Sequence, residues 1–167
     1  MPSLYIFSGL PGTGKTTLSE ALAKQITAVH LRIDTVEQAL RDICGINVEG
    51  EGYRLSYRLA ADNLRLGTSV VADSCNPIEL TRNEWENVAL ESGARYVNIE
   101  VVCSDKLEHR NRTENRSPTV PGLSLPTWKD VESREYHLWS KERIVIDTSG
   151  KSVNECLDGL LSSLLHA

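Results

Sequence analysis

The chain has 167 residues, 40% of them hydrophobic and 25% charged, with aromatics at only 5%. At ~100–200 residues per domain this predicts one domain over residues 1–167, built on an aliphatic core and large enough to need no metal or disulfide. With 23 acids against 18 bases, the formal net charge of −5 excludes a broadly basic surface for duplex nucleic acid, though not a local basic pocket. Cys44, Cys75, Cys103 and Cys156 form no C-x-x-C pair and have no zinc-site spacing, so they read as reduced, mostly buried thiols. No apolar run approaches the ~20 residues of a membrane helix. The short apolar run Leu4–Phe7 has no basic residue before it, which does not fit a signal peptide. The expected location is the cytoplasm.

Short β-like runs alternate with helix-like segments. Leu4–Phe7 is a continuous apolar run ending near Gly9, the pattern of a strand buried on both faces. Leu18, Ala21, Leu22 and Ile26 follow at helical spacing. Val29–Asp34 reads as a second strand. Residues 35–66 read as helical, broken at Gly45–Gly52 by three glycines. Ser69–Asp73 is a third strand, and Glu79–Glu91 a helix stopped by Gly93. Tyr96–Cys103 is a fourth strand and Leu107–Asn115 a helix. Residues 117–126, with Pro118, Pro121, Gly122 and Pro126, form a loop. Arg143–Asp147 is a fifth strand. Val153, Cys156, Leu157, Leu160, Leu161, Leu164 and Leu165 then make one apolar helical stripe. Such alternation predicts an α/β fold, a parallel sheet with helices on both faces. Right-handed crossovers put every strand's C-terminal end, and the ligand, at one edge.

Gly9-Leu10-Pro11-Gly12-Thr13-Gly14-Lys15-Thr16 satisfies G-x-x-x-x-G-K-S/T at every defined position. The glycines let backbone N–H groups turn inward to phosphate oxygens. Lys15 supplies a mobile cation, the Thr16 hydroxyl a Mg²⁺ ligand, and the following helix the positive end of its dipole. This loop, between a strand and a helix, resembles that of the P-loop NTPases. Within them the chain resembles the small kinase and phosphotransferase branch, which includes zeta-toxin-like kinases, gluconate kinase, adenylylsulfate kinase, chloramphenicol phosphotransferase and polynucleotide kinase domains. The resemblance implies a five-stranded sheet of order 2-3-1-4-5, a mobile lid over roughly 105–126, and ATP with Mg²⁺ as donor. It also implies that Gly12, Thr13, Gly14, Lys15, Thr16 and Thr17 hold the nucleotide.

Counting places two carboxylates beside that loop. From Lys15 a helix of about 11 residues descends roughly 17 Å. A strand of about 6 residues climbs back roughly 20 Å, so Asp34 returns to the same edge. In the resembled kinases an aspartate ending strand 2 deprotonates the acceptor hydroxyl, and Asp34 matches it; Asp is also a favoured helix N-cap. Val70-Val71-Ala72-Asp73 ends an apolar strand in an acid, as a Mg²⁺-binding Walker B element requires. The alternative role for Asp73 is a helix cap or a turn before Asn76-Pro77. Arg110, Arg112 and Arg116 stand within one short segment, where guanidiniums could stabilise charge on a transferring phosphoryl group. A solvated helix with a Glu108–Arg112 pair is the plainer reading. The resemblance assigns Arg116 and Arg112 to the phosphates and Arg110 to adenine stacking. Asn76 and Arg82 are weaker candidates for substrate contact, Arg32 and Arg41 for an anionic substrate, and His109 and His137 read as structural or surface residues.

The resulting expectation is an ATP-dependent kinase acting on a hydroxyl of a small molecule, with Lys15, Asp34, Arg112 and Arg116 as its catalytic set and Thr16 and Asp73 as metal ligands. Two alternatives stay open: a polynucleotide 5′-hydroxyl kinase, which few aromatics and the acidic net charge disfavour, and a nucleotide switch with no acceptor. The acceptor itself is not legible.

Overall fold

The computed structural model describes residues 1–166. Side chains alternate across the first strand, β1 (Ser3–Ser8), and its neighbours divide the core in two. Leu4 and Ile6 face one side of the sheet, together with Val70 and Ala72 of β3 (Val70–Asp73). There they meet α3 (Glu51–Arg65) through Ala60 and Leu64 and α4 (Glu79–Glu91) through Trp85 and Ala89. Tyr5, Phe7 and Val71 face the other side, against Leu18 and Leu22 of α1 (Lys15–Ile26) and Cys156 and Leu160 of α7 (Val153–Leu164). The remaining strands are β2 (Val29–Arg32), β4 (Arg95–Val102) and β5 (Ile144–Asp147). All pairings are parallel, in the order β2-β3-β1-β4-β5, as expected. Three further helices complete the chain: α2 (Ile33–Cys44), α5 (Lys106–Asn115) and α6 (Trp128–Glu132).

Two elements depart from the sequence pattern. The second strand stops at Arg32 rather than Asp34, and α2 starts at once at Ile33. Ile33 is drawn into the core beside Leu4 and Ala60, which a straight strand continuing past the sheet edge would not allow. Helix α6 was not expected; it depends on a capping box between Thr127 and Asp130 in a stretch without an apolar period. The cysteines are all free, but only Cys103 and Cys156 are buried; Cys44 is exposed and Cys75 half-buried.

The sheet face under β4 is covered differently. Its inward residues there are polar: Asn98 donates to Glu86 at 2.9 Å, and Glu100 accepts from Tyr136 Oη at 3.1 Å and Arg143 Nε at 2.6 Å. Residues 134–143, with neither helix nor strand, lie across this face. Arg82 is buried beneath them, donating to the carbonyls of Asn76 and Pro77 at 3.1 and 3.2 Å. Its guanidinium lies 4.0 Å from the Trp139 ring centroid. Arg82 is therefore a clamp on this segment, and the structure does not bring it to the cleft described below.

Leu160 is fully buried between α7 and the sheet, whereas Leu138 is 95% exposed. Leu160→Ala is expected to cost about 2–5 kcal/mol in urea unfolding, and Leu138→Ala less than about 0.5 kcal/mol.

Candidate active site

The loop from Gly9 to Gly14 connects β1 to α1 and takes a conformation only glycine accepts at its close approaches. Gly12 has φ +86, and a Cβ there would lie 2.2 Å from Thr113 Oγ1. Gly9 has φ +148, and its Cβ would lie 2.3 Å from the Val101 carbonyl. Gly14 caps α1 without a side-chain hydrogen bond, so the first N–H groups of α1 are left for a ligand, and the helix dipole favours an anion there.

The loop is fastened from outside. Gly9 N donates to the Cys75 carbonyl at 3.1 Å. Thr13 Oγ1 donates to the Leu10 carbonyl at 3.0 Å. The Thr148 hydroxyl sits 2.7 Å from the Thr13 carbonyl, and Arg112 Nη1 donates to that hydroxyl at 2.7 Å. His109 Nε2 lies 2.8 Å from the Pro11 carbonyl, with its ring edge-on to Trp128. His109 is buried and structural, as expected.

Parallel register sets the next tier. Arg32, Asp73 and Phe7 are directly paired across β2, β3 and β1, which puts a carboxylate and a guanidinium level with the loop. Lys15 Nζ donates to Asp73 Oδ1 at 3.0 Å. Burial alone would lower the Lys15 pKa, but the Asp73 carboxylate more than reverses this and holds it above its ordinary value. Asp73 shows the mirror effect: burial opposes its ionisation, yet the Lys15 charge and the Lys15 and Thr16 hydrogen bonds hold it below the usual carboxylate range. Asp73 Oδ2 is buried without a hydrogen-bond partner. A charged oxygen left unsatisfied next to the Thr16 hydroxyl fits a hydrated divalent cation held partly by phosphate.

Lys15, Thr16 and Arg32 open into a cleft of about 1060 Å³, with Asp73 buried beneath its lining. Gly12, Gly14, Lys15, Thr16 and Thr17 form its floor, and Asp34, Arg112 and Arg116 also line it. Thr13 is buried behind the loop. Asp34 lies in the first turn of α2 and makes no capping bond, so the N-cap alternative is not realised. Its charge reaches Lys15. Residues 117–126 wall the cleft opposite α2: Arg32 Nη1 donates to Thr119 Oγ1 at 2.8 Å, and Gly122 packs on Gln38. Arg110 does not arrive: it pairs with Glu114 at 2.9 Å on the outer face of α5. Arg112 lines the cleft instead, bound to Glu108 at 2.5 Å and to the Thr148 carbonyl at 3.0 Å. Asn76 is fully buried, its Nδ2 donating to Ser8 Oγ at 2.9 Å, so it is a brace rather than a cleft residue.

Residues 4–131 match the family model described as an AAA domain. The chain belongs to that family. No curated protein matches in sequence. Among solved structures, this AAA-domain chain resembles a gluconokinase from Sinorhizobium meliloti 1021, at 16% identity and TM-score 0.68, covering 99% of this chain and 93% of that one. A sugar kinase from Janibacter sp. HTCC2649 is similar at 16% identity and TM-score 0.70, covering 100% and 96%. An APS kinase from Mycobacterium tuberculosis, solved with AMPPNP and APS, is similar at 14% identity and TM-score 0.69, covering 99% and 98%. The fold is thus that of the small P-loop kinases.

Sequence reasoning missed Arg134 as a cleft residue of this AAA-domain chain; Thr148 lines the cleft too. Thr148 carried a weak signal, since it follows the last strand at the ligand edge. Arg134 carried none: it reaches the cleft only through the fold.

The close approach at Gly12 is directly testable. Gly12→Ala is expected to keep the native circular dichroism spectrum yet weaken binding of a fluorescent ATP analogue at least tenfold. Adding Thr113→Ala, which removes the clashing hydroxyl, should restore part of that loss.

Proposed function

We propose that the protein is an ATP-dependent kinase that transfers the γ-phosphoryl group to a hydroxyl of a small molecule. The observation that carries this reading is the placement of Asp34 on the same cleft as a complete phosphate loop and an unpaired Arg116. A switch or simple NTPase has no use for a carboxylate facing the loop across an open cleft large enough for a second ligand. The kinase names of the structural neighbours point the same way.

Each residue then has a task. The α1 N-terminus and Lys15 hold the β- and γ-phosphates. Arg112 shapes the base-side wall, in place of Arg110. Thr16 and Asp73 would hold Mg²⁺, which neutralises charge on the phosphates. Asp34 accepts the proton of the acceptor hydroxyl as its oxygen bonds to the γ-phosphorus and the bond to the ADP oxygen breaks. Arg116 stabilises the charge on the moving phosphoryl oxygens. The free cysteines suit a reducing cytoplasm, and no described helix is long and apolar enough to cross a membrane.

A metabolite panel with ATP and Mg²⁺, read by mass spectrometry for gain of a phosphoryl group, identifies the acceptor. With it, Asp34→Asn is expected to bind ATP as the parent does and to lose roughly 10²–10⁴-fold in transfer rate. Undiminished transfer in that variant would remove Asp34 as the base. A panel with no acceptor, joined to a conformational change on nucleotide exchange, would favour the switch.

A further inference from the structure

The cations lining the cleft fall into two groups. Lys15 is neutralised by Asp73, Arg112 by Glu108, and Arg41 by Glu37 at 3.5 Å. Arg32, Arg116 and Arg134 have no carboxylate at salt-bridge distance among the described residues. All three line the same cleft, where Asp34 and Glu20 are the acids without a salt-bridge partner among the described residues and Asp34 is the one that acts on Arg116. A cluster of positive charge thus stands in a chain whose formal net charge is −5.

The cluster is also short of hydrogen-bond acceptors. Arg32 spends Nη1 on the Thr119 hydroxyl, while its Nε is buried without a partner. Arg116 buries Nε and Nη2 without partners. Burial lowers the Arg116 pKa, Asp34 opposes this, and repulsion from Arg32 and Arg134 adds to it, so the three guanidiniums share one electrostatic site. Buried charged donors left unpaired are costly. A guanidinium fork matches a planar or tetrahedral oxyanion through two parallel hydrogen bonds.

With Arg116 turned to the transferring phosphoryl group, Arg32 and Arg134 remain. We infer that Arg32 and Arg134 form an oxyanion subsite, so that the acceptor carries a carboxylate, phosphate or sulfate group within a few bonds of its reacting hydroxyl. The placement in the acceptor rests on the kinase reading; the anion site itself does not. Arg32 stands at the end of β2, immediately before the first turn of α2 that carries Asp34, so an anion on Arg32 sets the neighbouring hydroxyl beside the base. A neutral polyol can accept from a guanidinium N–H but supplies no counter-charge for Arg32 and Arg134.

Two measurements test this. In the first, protein saturated with AMPPNP and Mg²⁺, which fills the phosphate loop, is titrated with sodium sulfate by calorimetry at constant ionic strength. Saturable binding is expected, weakened at least tenfold in Arg32→Gln and severalfold in Arg134→Gln; the second side chain is exposed, so that variant should fold. In the second, hydroxy-carboxylates and sugar phosphates are each compared with their neutral parent alcohols as acceptors. The anionic members should show at least tenfold higher kcat/KM, lost mainly through KM in Arg32→Gln, and the two anionic arms identify which oxyanion is preferred. Absence of saturable sulfate binding, sulfate binding unchanged in both variants, or equal turnover of the neutral parents would overturn the inference. Sulfate binding through Arg32 with no acceptor phosphorylated would uphold the anion subsite and sink the kinase reading.

Discussion

The parallel register of β2, β3 and β1 is the constraint on which the cleft depends. It sets Arg32, Asp73 and Phe7 in one row, so a strand-end guanidinium and a buried carboxylate arrive level with the phosphate loop. A one-residue slip would turn each side chain to the opposite face of the sheet. Asp73 would then leave Lys15 buried without its counter-charge, which is far costlier than the loss of a surface pair. The ion pair and the register therefore support each other.

Around that row, rigidity is concentrated on one side of the loop. Thr148, itself held by Arg112, and His109 tie the backbone of residues 13 and 11 to the turn after β5 and to α5. These are contacts to carbonyls, so they leave the loop's N–H groups directed into the cleft. The β2 side is looser in kind: one Arg32–Thr119 bond and a Gly122–Gln38 approach join residues 117–126 to α2. One stiff side and one lightly closed side suit the proposed kinase, which would hold one common ligand firmly and admit another.

Coverage of the sheet beyond β1 follows a different logic. Where apolar residues line β1 and β3, helices suffice. Under β4 the inward positions are Asn98 and Glu100, and the chain answers with Arg82, Arg143, Tyr136 and Trp139 instead of an amphipathic helix. Buried polar groups of this kind are tolerated only when almost fully paired. That requirement locates residues 134–143 without any regular secondary structure.

By itself the amino-acid order determined the α/β alternation, the phosphate loop and the strand-end position of Asp73. Apolar period, glycine placement and the Gly-Lys-Thr string are local properties, and the backbone chemistry they permit is narrow. It also placed Asp34 on the correct edge, though through a strand two residues too long, because the pull of Ile33 into the core is a tertiary effect. Only the tertiary structure decided among the arginines. Arg82, Arg110, Arg112, Arg116, Arg32 and Arg134 are alike in sequence, since a guanidinium on a helix or loop has no period or spacing that reveals its partner. Burial against Trp139 made one a clamp, and a neighbouring glutamate turned Arg110 outward. Convergence of distant segments left Arg32, Arg116 and Arg134 lining one cleft.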